Sequence, residues 1–381
     1  MEPIRVTPTH PDRADFGATV RARHLPMLDG FRAVAAFSVV FAHGYGVALF
    51  DGVTAFFVLS GFLITTLLLR EREATGSVSV PAFYLRRTLR IFPAYYACVI
   101  ASFAIDHVAG NPWPEGLAAS AAAYLVNYFN AFNGHPDTSI AHMWSLGVEE
   151  QFYLLWPAIF IALARFGLPT LRAGLIVLIG FGAVWRAALY FSGVVGQAYL
   201  YNAFDARFDN LAIGCLLATV ATDPRTAQFA RRVGAAAWMP LVTLGLMMLV
   251  LTALSSTARH LIGFTLYAAL VAILIVQLLQ LRASAMWRWL DFGPVRFLGT
   301  ISYPIYLYHG WGLGLGEWLT DVPHLGRFIA GTVFTVAGAV GSYYIVEQPF
   351  LRLKQRFTPA RSTSKPTLQP PAEARSQLAI S

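Results

Sequence analysis

The chain has 381 residues, of which 56% are apolar and only 13% are charged, whereas soluble domains carry about a quarter charged residues. This balance excludes an ordinary soluble domain, and apolar runs long enough to cross ~30 Å of hydrocarbon predict a polytopic membrane protein. The net charge of +8 does not indicate nucleic-acid binding, because the basic residues lie in loops between the apolar runs.

The remaining composition narrows the class further. The apolar runs are too long and continuous for the strands of a membrane β-barrel. Cys98 and Cys215 lie in apolar runs, so we expect buried packing residues rather than a disulfide framework or a metal site. Residues 1–27 are polar and no apolar run precedes residue 31, so we predict no cleavable signal peptide.

Eleven apolar runs are candidate membrane spans. In chain order they cover residues 31–49, 53–70, 91–108, 117–131, 147–164, 173–191, 207–221, 236–254, 262–281, 297–318 and 328–347.

Loop charge predicts the topology, because cytoplasmic loops carry an excess of Lys and Arg. Basic and non-basic loops alternate only if the short run 117–131 does not change sides. We therefore predict an all-α membrane helical bundle of about ten transmembrane helices plus one re-entrant or interfacial segment, with both termini cytoplasmic. The alternative, eleven crossings, would place three basic loops and the basic C-terminal tail outside.

The same pattern sets the predicted domain limits. Residues 1–27 form a cytoplasmic N-terminal tail and residues 28–352 form the membrane domain. Residues 353–381 are polar and Pro-rich, so we expect a disordered cytoplasmic tail and no second soluble domain.

The first run begins with LDGFRAVAAFSVVFAH, residues 28–43, which contains Arg32 and His43. Eleven positions at ~100° per residue are three turns plus ~20°, so both side chains lie on one face, separated by a rise of ~16 Å. Ionisable residues within a span indicate function. The alternative is that Arg32 extends to the membrane surface and His43 is a hydrogen-bonded packing residue.

A second basic group occurs in FYLRRTLRIFPAYY, residues 83–96. Arg87 and Arg90 are three apart and share a helix face, whereas Arg86 points elsewhere. Paired guanidinium groups suit phosphates through forked hydrogen bonds. The alternative is that they set topology or bind lipid headgroups.

Two adjacent carboxylates, Glu149 and Glu150, occur in HMWSLGVEEQFYLLWP. Glu149 and Tyr153 are four apart and can share a face. Either carboxylate could orient a nearby histidine and stabilise its protonated form. The alternative is that they complement the helix dipole. The spacing does not decide which glutamate faces inward.

Further candidates line a possible polar pocket. Ser60-Gly61 permits close helix packing, and Ser60 lacks the context of a nucleophile. His309 is a second intramembrane histidine, with Ser302 and Tyr303 nearby; the alternative for this group is packing. The pocket candidates are Ser60, Trp144, Tyr153, Tyr306 and His309.

Taken together, the motifs resemble the acyltransferase-3 family of integral membrane acyltransferases over roughly residues 26–352. Six motifs occur in family order: LDGFRAVAAFSVVFAH, FFVLSGFLIT, FYLRRTLRIFPAYY, MWSLGVEEQFYLLWP, ISYPIYLYH and VEQPF. The family's basic-residue, ten-residue, histidine pattern falls on Arg32 and His43, and its R-x-x-R pattern on Arg87 and Arg90. The family's late His-Trp pair is here His309-Gly310-Trp311, which leaves the role of His309 open.

The resemblance implies an O-acyltransferase of the cytoplasmic (inner) membrane. An acyl-CoA, most simply acetyl-CoA, would be the donor substrate, with Arg32, Arg87 and Arg90 around it and no bound cofactor or metal. The acceptor would be a hydroxyl of a sugar, a lipid-linked glycan or a surface polysaccharide precursor.

His43 is then the candidate general base, with Glu149 or Glu150 stabilising its imidazolium. A low-dielectric site would keep His43 neutral at rest. An acyl-histidine relay stays open. Alternatives for the whole chain are acylation of a small molecule such as a macrolide, a transporter or flippase, and a catalytically idle partner in envelope assembly.

Overall fold

The computed structural model describes residues 16–22, 24–319 and 321–356. These ranges are helical and contain no strand, which confirms the predicted all-α class. Most of the two predicted tails, residues 1–15 and 357–381, lies outside the described residues.

The helices are numbered in chain order. They are α1 Phe16–Arg21, α2 Pro26–Tyr45, α3 Gly52–Thr75, α4 Val80–Val108, α5 Leu117–Ala122, α6 Val126–Asn133, α7 Trp144–Ala164, α8 Leu168–Ser192, α9 Gln197–Asn202, α10 Phe204–Val220, α11 Pro224–Val233, α12 Met239–Ala253, α13 Ser256–Ala258, α14 Phe264–Gln280, α15 Gly293–Thr300, α16 Ser302–Glu317, α17 His324–Ser342 and α18 Gln348–Arg356. Between them lie the 3-10 turns Ala141–Met143 and Arg288–Asp291 and the π-helical turns Arg259–Gly263 and Tyr343–Glu347.

Six helical segments in the described ranges are long and apolar enough to cross a bilayer, which confirms a polytopic helical membrane protein. They are Gly52–Thr75, Val80–Val108, Ala141–Ala164, Leu168–Ser192, Ser256–Gln280 and His324–Leu353. The other predicted spans fall on α2, α10, α12 and α15 with α16. Since α10, α12 and α16 have 17, 15 and 16 residues, each is shorter than the ~20 residues of a usual span. The total of ten crossings stays a prediction.

The segment predicted not to cross, 117–131, breaks into the short helices α5 and α6. Tyr124, between them, has a positive φ of 57°, which interrupts the helix. Helices of six and eight residues are too short to span hydrocarbon. The Tyr95 hydroxyl donates to the Ala121 carbonyl at 2.9 Å, so α5 is fixed against α4.

Glycines set the closest helix contacts. A Cβ at Gly61 of α3 would collide with the backbone of Leu211, and one at Gly214 of α10 would collide with the backbone of Val58. The two helices therefore pack almost backbone to backbone, as the Ser60-Gly61 pair predicted. Helices α16 and α17 pack in the same way, because Gly312 and Gly316 face α17 with no space for a side chain.

A buried ion pair joins α8 to α10. Arg186 donates to both carboxylate oxygens of Asp209 at 3.0 and 3.1 Å, and both side chains are fully buried. The same guanidinium also donates to the Ala206 carbonyl at 2.7 Å and to the Thr265 hydroxyl at 2.5 Å. Hydrogen bonds of this number and geometry are what a buried charge needs to be tolerated.

Candidate active site

Two cavities contain every predicted site residue except Tyr153. The arginine cavity, about 320 Å³, is lined by α2, α3, α4, α7, α16 and the π turn before α18. The histidine cavity, about 850 Å³, is lined mainly by residues of α2 and α16, by the segment between α4 and α5 and by the segment before α7. The predicted arginines and glutamates line the arginine cavity, and the predicted histidines line the histidine cavity.

The arginine cavity brings together Arg32, Arg87 and Arg90. The guanidinium carbon of Arg87 lies 3.3 Å from the ring centre of Tyr153, a cation–π stack. Arg90 forms no hydrogen bond or ion pair with a described residue. Arg86 points away and binds Glu71 at 2.8 Å, as the helical spacing predicted.

Both predicted carboxylates line the arginine cavity, and only Glu149 is held by hydrogen bonds within the described ranges. Its Oε1 accepts from the Ser60 hydroxyl at 2.8 Å, and its Oε2 accepts from the Tyr153 hydroxyl at 3.1 Å. Ser60 therefore positions a carboxylate, a role that the sequence did not indicate. Tyr153 lies behind the cavity wall, where it links Glu149 to Arg87.

The structure does not place either glutamate against His43. His43 lies in the last turn of α2 and lines the histidine cavity. Its Nδ1 is 2.9 Å from the Val39 carbonyl oxygen. Because a carbonyl can only accept, Nδ1 donates and Nε2 keeps a free lone pair. The backbone of α2 orients the imidazole, and no carboxylate of a described residue is hydrogen-bonded to it.

The expectation that His43 is enclosed in a low-dielectric interior is wrong. The residue is exposed to the cavity, because α2 ends two residues later at Tyr45. Its readiness to accept a proton follows from the Nδ1 hydrogen bond rather than from burial.

Three imidazoles meet in the histidine cavity. The ring centre of His309 is 4.7 Å from that of His43 and 4.4 Å from that of His142. His309 and His142 are 1% and 8% exposed, and the Nε2 atom of each lacks a hydrogen-bond partner among the described residues. Because His309 Nδ1 donates to the Tyr306 carbonyl at 2.7 Å, its Nε2 is also a free acceptor.

His142 was missed by sequence reasoning, although it opens the motif HMWSLGVEEQFYLLWP. On the loop before it, His135 also lines the cavity, and desolvation lowers its pKa below the ordinary histidine value. Trp144 forms another wall, with its ring centre 4.8 Å from that of Tyr201.

Tyr306 lines both cavities, whereas Ser302 and Tyr303 line only the arginine cavity. The predicted grouping of these residues around His309 is therefore correct for Tyr306 alone.

Glu347 is a further residue that sequence reasoning missed. It ends the π turn before α18, is 6% exposed and lines the arginine cavity. Its Oε1 has no hydrogen-bond partner among the described residues. Its place in the motif VEQPF, one of the six ordered motifs, is the sequence signal that could have indicated a functional role.

The sequence model of the acyltransferase domain family (acyltransferase-3) matches residues 25–345. The chain is 30% identical over 350 residues to the peptidoglycan O-acetyltransferase OatA of Listeria monocytogenes, covering 86% of this chain and 56% of the relative. It is 28% identical over 365 residues to the putative peptidoglycan O-acetyltransferase YrhL of Bacillus subtilis, covering 88% and 56%. It is 32% identical over 229 residues to the O-acetyltransferase OatA of Staphylococcus aureus, covering 52% and 35%.

The chain thus spans about half the length of these curated relatives. No solved structure matches it. The family match covers most of the chain, the whole lining of the histidine cavity and the lining of the arginine cavity except Glu347 and Leu351. This chain therefore belongs to the acyltransferase-3 family, as the ordered motifs predicted.

Proposed function

We propose that this chain is a membrane O-acyltransferase that transfers an acetyl group from cytoplasmic acetyl-CoA to a hydroxyl of a cell-surface glycan. The observation that carries the proposal is that a cavity lined by three arginines and a cavity lined by imidazoles meet at one shared wall. Peptidoglycan is the first candidate acceptor, because two of the relatives are named as peptidoglycan O-acetyltransferases.

The arginine cavity is the proposed donor site. Arg32, Arg87 and Arg90 supply positive charge and forked donors, which match the phosphates of a polyanionic thioester. Arg90 has no ion pair with a described residue and is exposed, so its guanidinium is available to a ligand. The positive-inside rule supports a cytoplasmic position for the Arg-rich beginning of α4.

Glu149 acts as a positioning residue in this proposal. Ser60 and Tyr153 fix its two oxygens, and Tyr153 in turn stacks against Arg87. This chain of contacts holds the guanidinium in place on the donor side. Glu150 lines the same cavity.

The histidine cavity is the proposed acceptor site, where His43 Nε2 accepts the proton of the acceptor hydroxyl. The hydroxyl oxygen attacks the thioester carbonyl carbon, a C–O bond forms and the C–S bond breaks. The departing thiolate takes up the proton from the imidazolium, so the histidine is regenerated. General-base catalysis of this kind contributes about 10²–10⁴-fold to rate.

The membrane placement belongs to the same proposal. Ten crossings, with residues 28–352 as the membrane domain and both termini cytoplasmic, keep the basic loops on the inside of the cytoplasmic membrane. The donor then enters from the cytoplasm and the acceptor from the opposite face. The absence of Lys and Arg from the histidine-cavity lining suits an acceptor that is not a polyanion.

The test is to incubate membranes containing the full chain with acetyl-labelled acetyl-CoA and to analyse glycans by mass spectrometry. His43→Ala is expected to reduce transfer about 10²–10⁴-fold while CoA binding is retained. His107→Ala is the matched control, because His107 is exposed and lines neither cavity. Full transfer by a correctly inserted His43→Ala variant would contradict the assignment. Movement of a substrate without an acyl product would favour a transporter.

A further inference from the structure

The wall between the two cavities is narrow. Of all their lining residues, only Val53 and Tyr306 are common to both. Val53 is in the first turn of α3, and Tyr306 is in the second turn of α16. An acyl group that moves from the arginines to the imidazoles must therefore pass these two side chains.

Tyr306 is held in place from both sides. Its hydroxyl is 2.6 Å from the His142 carbonyl oxygen and 2.6 Å from Ser145 Oγ. Because a phenol has one proton and a carbonyl only accepts, Tyr306 donates to His142 and Ser145 donates to Tyr306. His142 lines the histidine cavity and Ser145 lines the arginine cavity, so the two bonds fix the ring across the wall.

Val53 is equally well fixed. Asp51 caps α3 by accepting from the Thr54 amide at 3.0 Å and from its hydroxyl at 2.6 Å. The Asp51 amide in turn donates to the Tyr267 hydroxyl at 2.7 Å. The first turn of α3 is thus tied to α14, and Val53 cannot move aside freely.

We propose that Val53 and Tyr306 form a size-limiting passage between the donor and acceptor cavities and restrict transfer to short acyl groups. This inference rests on the proposed function. A two-carbon group needs the least volume beside the fixed Tyr306 ring, whereas each added methylene needs more space there. The same wall separates the thioester from the water that reaches the exposed His43.

The experiment uses the full-length chain in membranes with acetyl-, butyryl- and octanoyl-CoA and a common glycan acceptor. A methylene in a confined pocket changes selectivity by roughly 10–200-fold. Val53→Ala should therefore raise the butyryl-to-acetyl ratio of kcat/KM at least ~tenfold, and Val53→Ile should lower it. Tyr306→Phe should raise acceptor-independent hydrolysis of acetyl-CoA, because it loses the bonds to His142 and Ser145.

Tyr308→Phe is the matched control, since Tyr308 lies on the same helix but lines a separate cavity with Gly338 and Ser342. It should leave both the acyl ratio and the hydrolysis rate unchanged. An active wild type whose acyl ratio does not change in either Val53 variant would overturn this proposal alone. A wild type that forms no acylated glycan from any of the three donors would overturn the proposed function and this proposal with it.

Discussion

The buried Arg186 and the cavity arginines Arg87 and Arg90 differ in how their charges are satisfied. Arg186 makes four hydrogen bonds, two of them to the buried carboxylate of Asp209. Arg87 and Arg90 line a cavity and have no hydrogen bond to a described residue. Arg186 and Asp209 therefore form a closed pair. Arg87 and Arg90 are open, which means that no described residue is hydrogen-bonded to them.

The difference separates structural charges from ligand-binding charges. A fully buried charge costs several kcal/mol unless it is paired and hydrogen-bonded, as Arg186 is, whereas Arg87 is half-buried and Arg90 is exposed, so an anion can reach both. Three carboxylates, Glu149, Glu150 and Glu347, line the same cavity as the open arginines. Glu149 is bonded to Ser60 and Tyr153 rather than to a guanidinium, which leaves the arginines available to an anion.

Breaking the closed pair should have the largest effect on stability. Asp209→Ala leaves the Arg186 guanidinium buried without its counter-ion, which costs about 3–5 kcal/mol. Thermal unfolding of the purified protein in detergent measures the loss. The double variant Arg186→Met with Asp209→Leu should recover most of it, and a double variant as unstable as Asp209→Ala would show that the pair is not a self-contained unit.

Removing two positive charges from the arginine cavity should weaken CoA binding and leave folding intact. Arg87→Ala with Arg90→Ala should weaken CoA binding about 10²-fold, since a hydrogen bond to a charged group contributes about 1.5–3 kcal/mol. Calorimetric titration measures the affinity. Arg86→Ala is the matched control, because Arg86 binds Glu71 away from the cavity. Equal affinities in the double variant and the control would count against the donor site.

Removing one hydrogen bond from the Glu149 carboxylate should have the smallest effect on transfer. Ser60→Ala removes one of the two hydrogen bonds to Glu149, and one such bond to a charged group is worth at least ~1.5 kcal/mol. We expect ~tenfold slower transfer with little change in unfolding temperature. Ser38→Ala, which removes only a bond to a carbonyl of its own helix, serves for comparison. Identical transfer rates in the two variants would show that Ser60 has no role in the site.

Local patterns in the sequence predicted the helical class and part of the site. Loop charge predicted that 117–131 does not cross, and the structure breaks this segment into the short helices α5 and α6. Spacing placed Arg87 and Arg90 on one face with Arg86 apart. The six ordered motifs predicted the family. The shared face of Arg87 and Arg90 depends only on neighbours within one turn of a helix, which is why periodicity was sufficient to predict it.

The contacts between helices were beyond such patterns. Ser60 and Glu149 are 89 positions apart, and Tyr306 and Ser145 are 161 apart. Spacing within one helix says nothing about which helix lies opposite, so the bond from Ser60, the third imidazole of His142 and the carboxylate of Glu347 were missed. The exposure of His43 was also mispredicted, because it depends on where α2 ends.

The backbone contact between α3 and α10 holds the Val53 side of the passage rigidly in place. Gly61 and Gly214 leave no slack between these helices, and α10 carries Asp209, which is bonded to α8. Val53 therefore belongs to a rigid block. Tyr306 is held by two hydrogen bonds to one short segment, residues 142–145. Since α3 cannot shift away, we expect any widening during turnover to require the Tyr306 hydroxyl to break its bonds to His142 and Ser145.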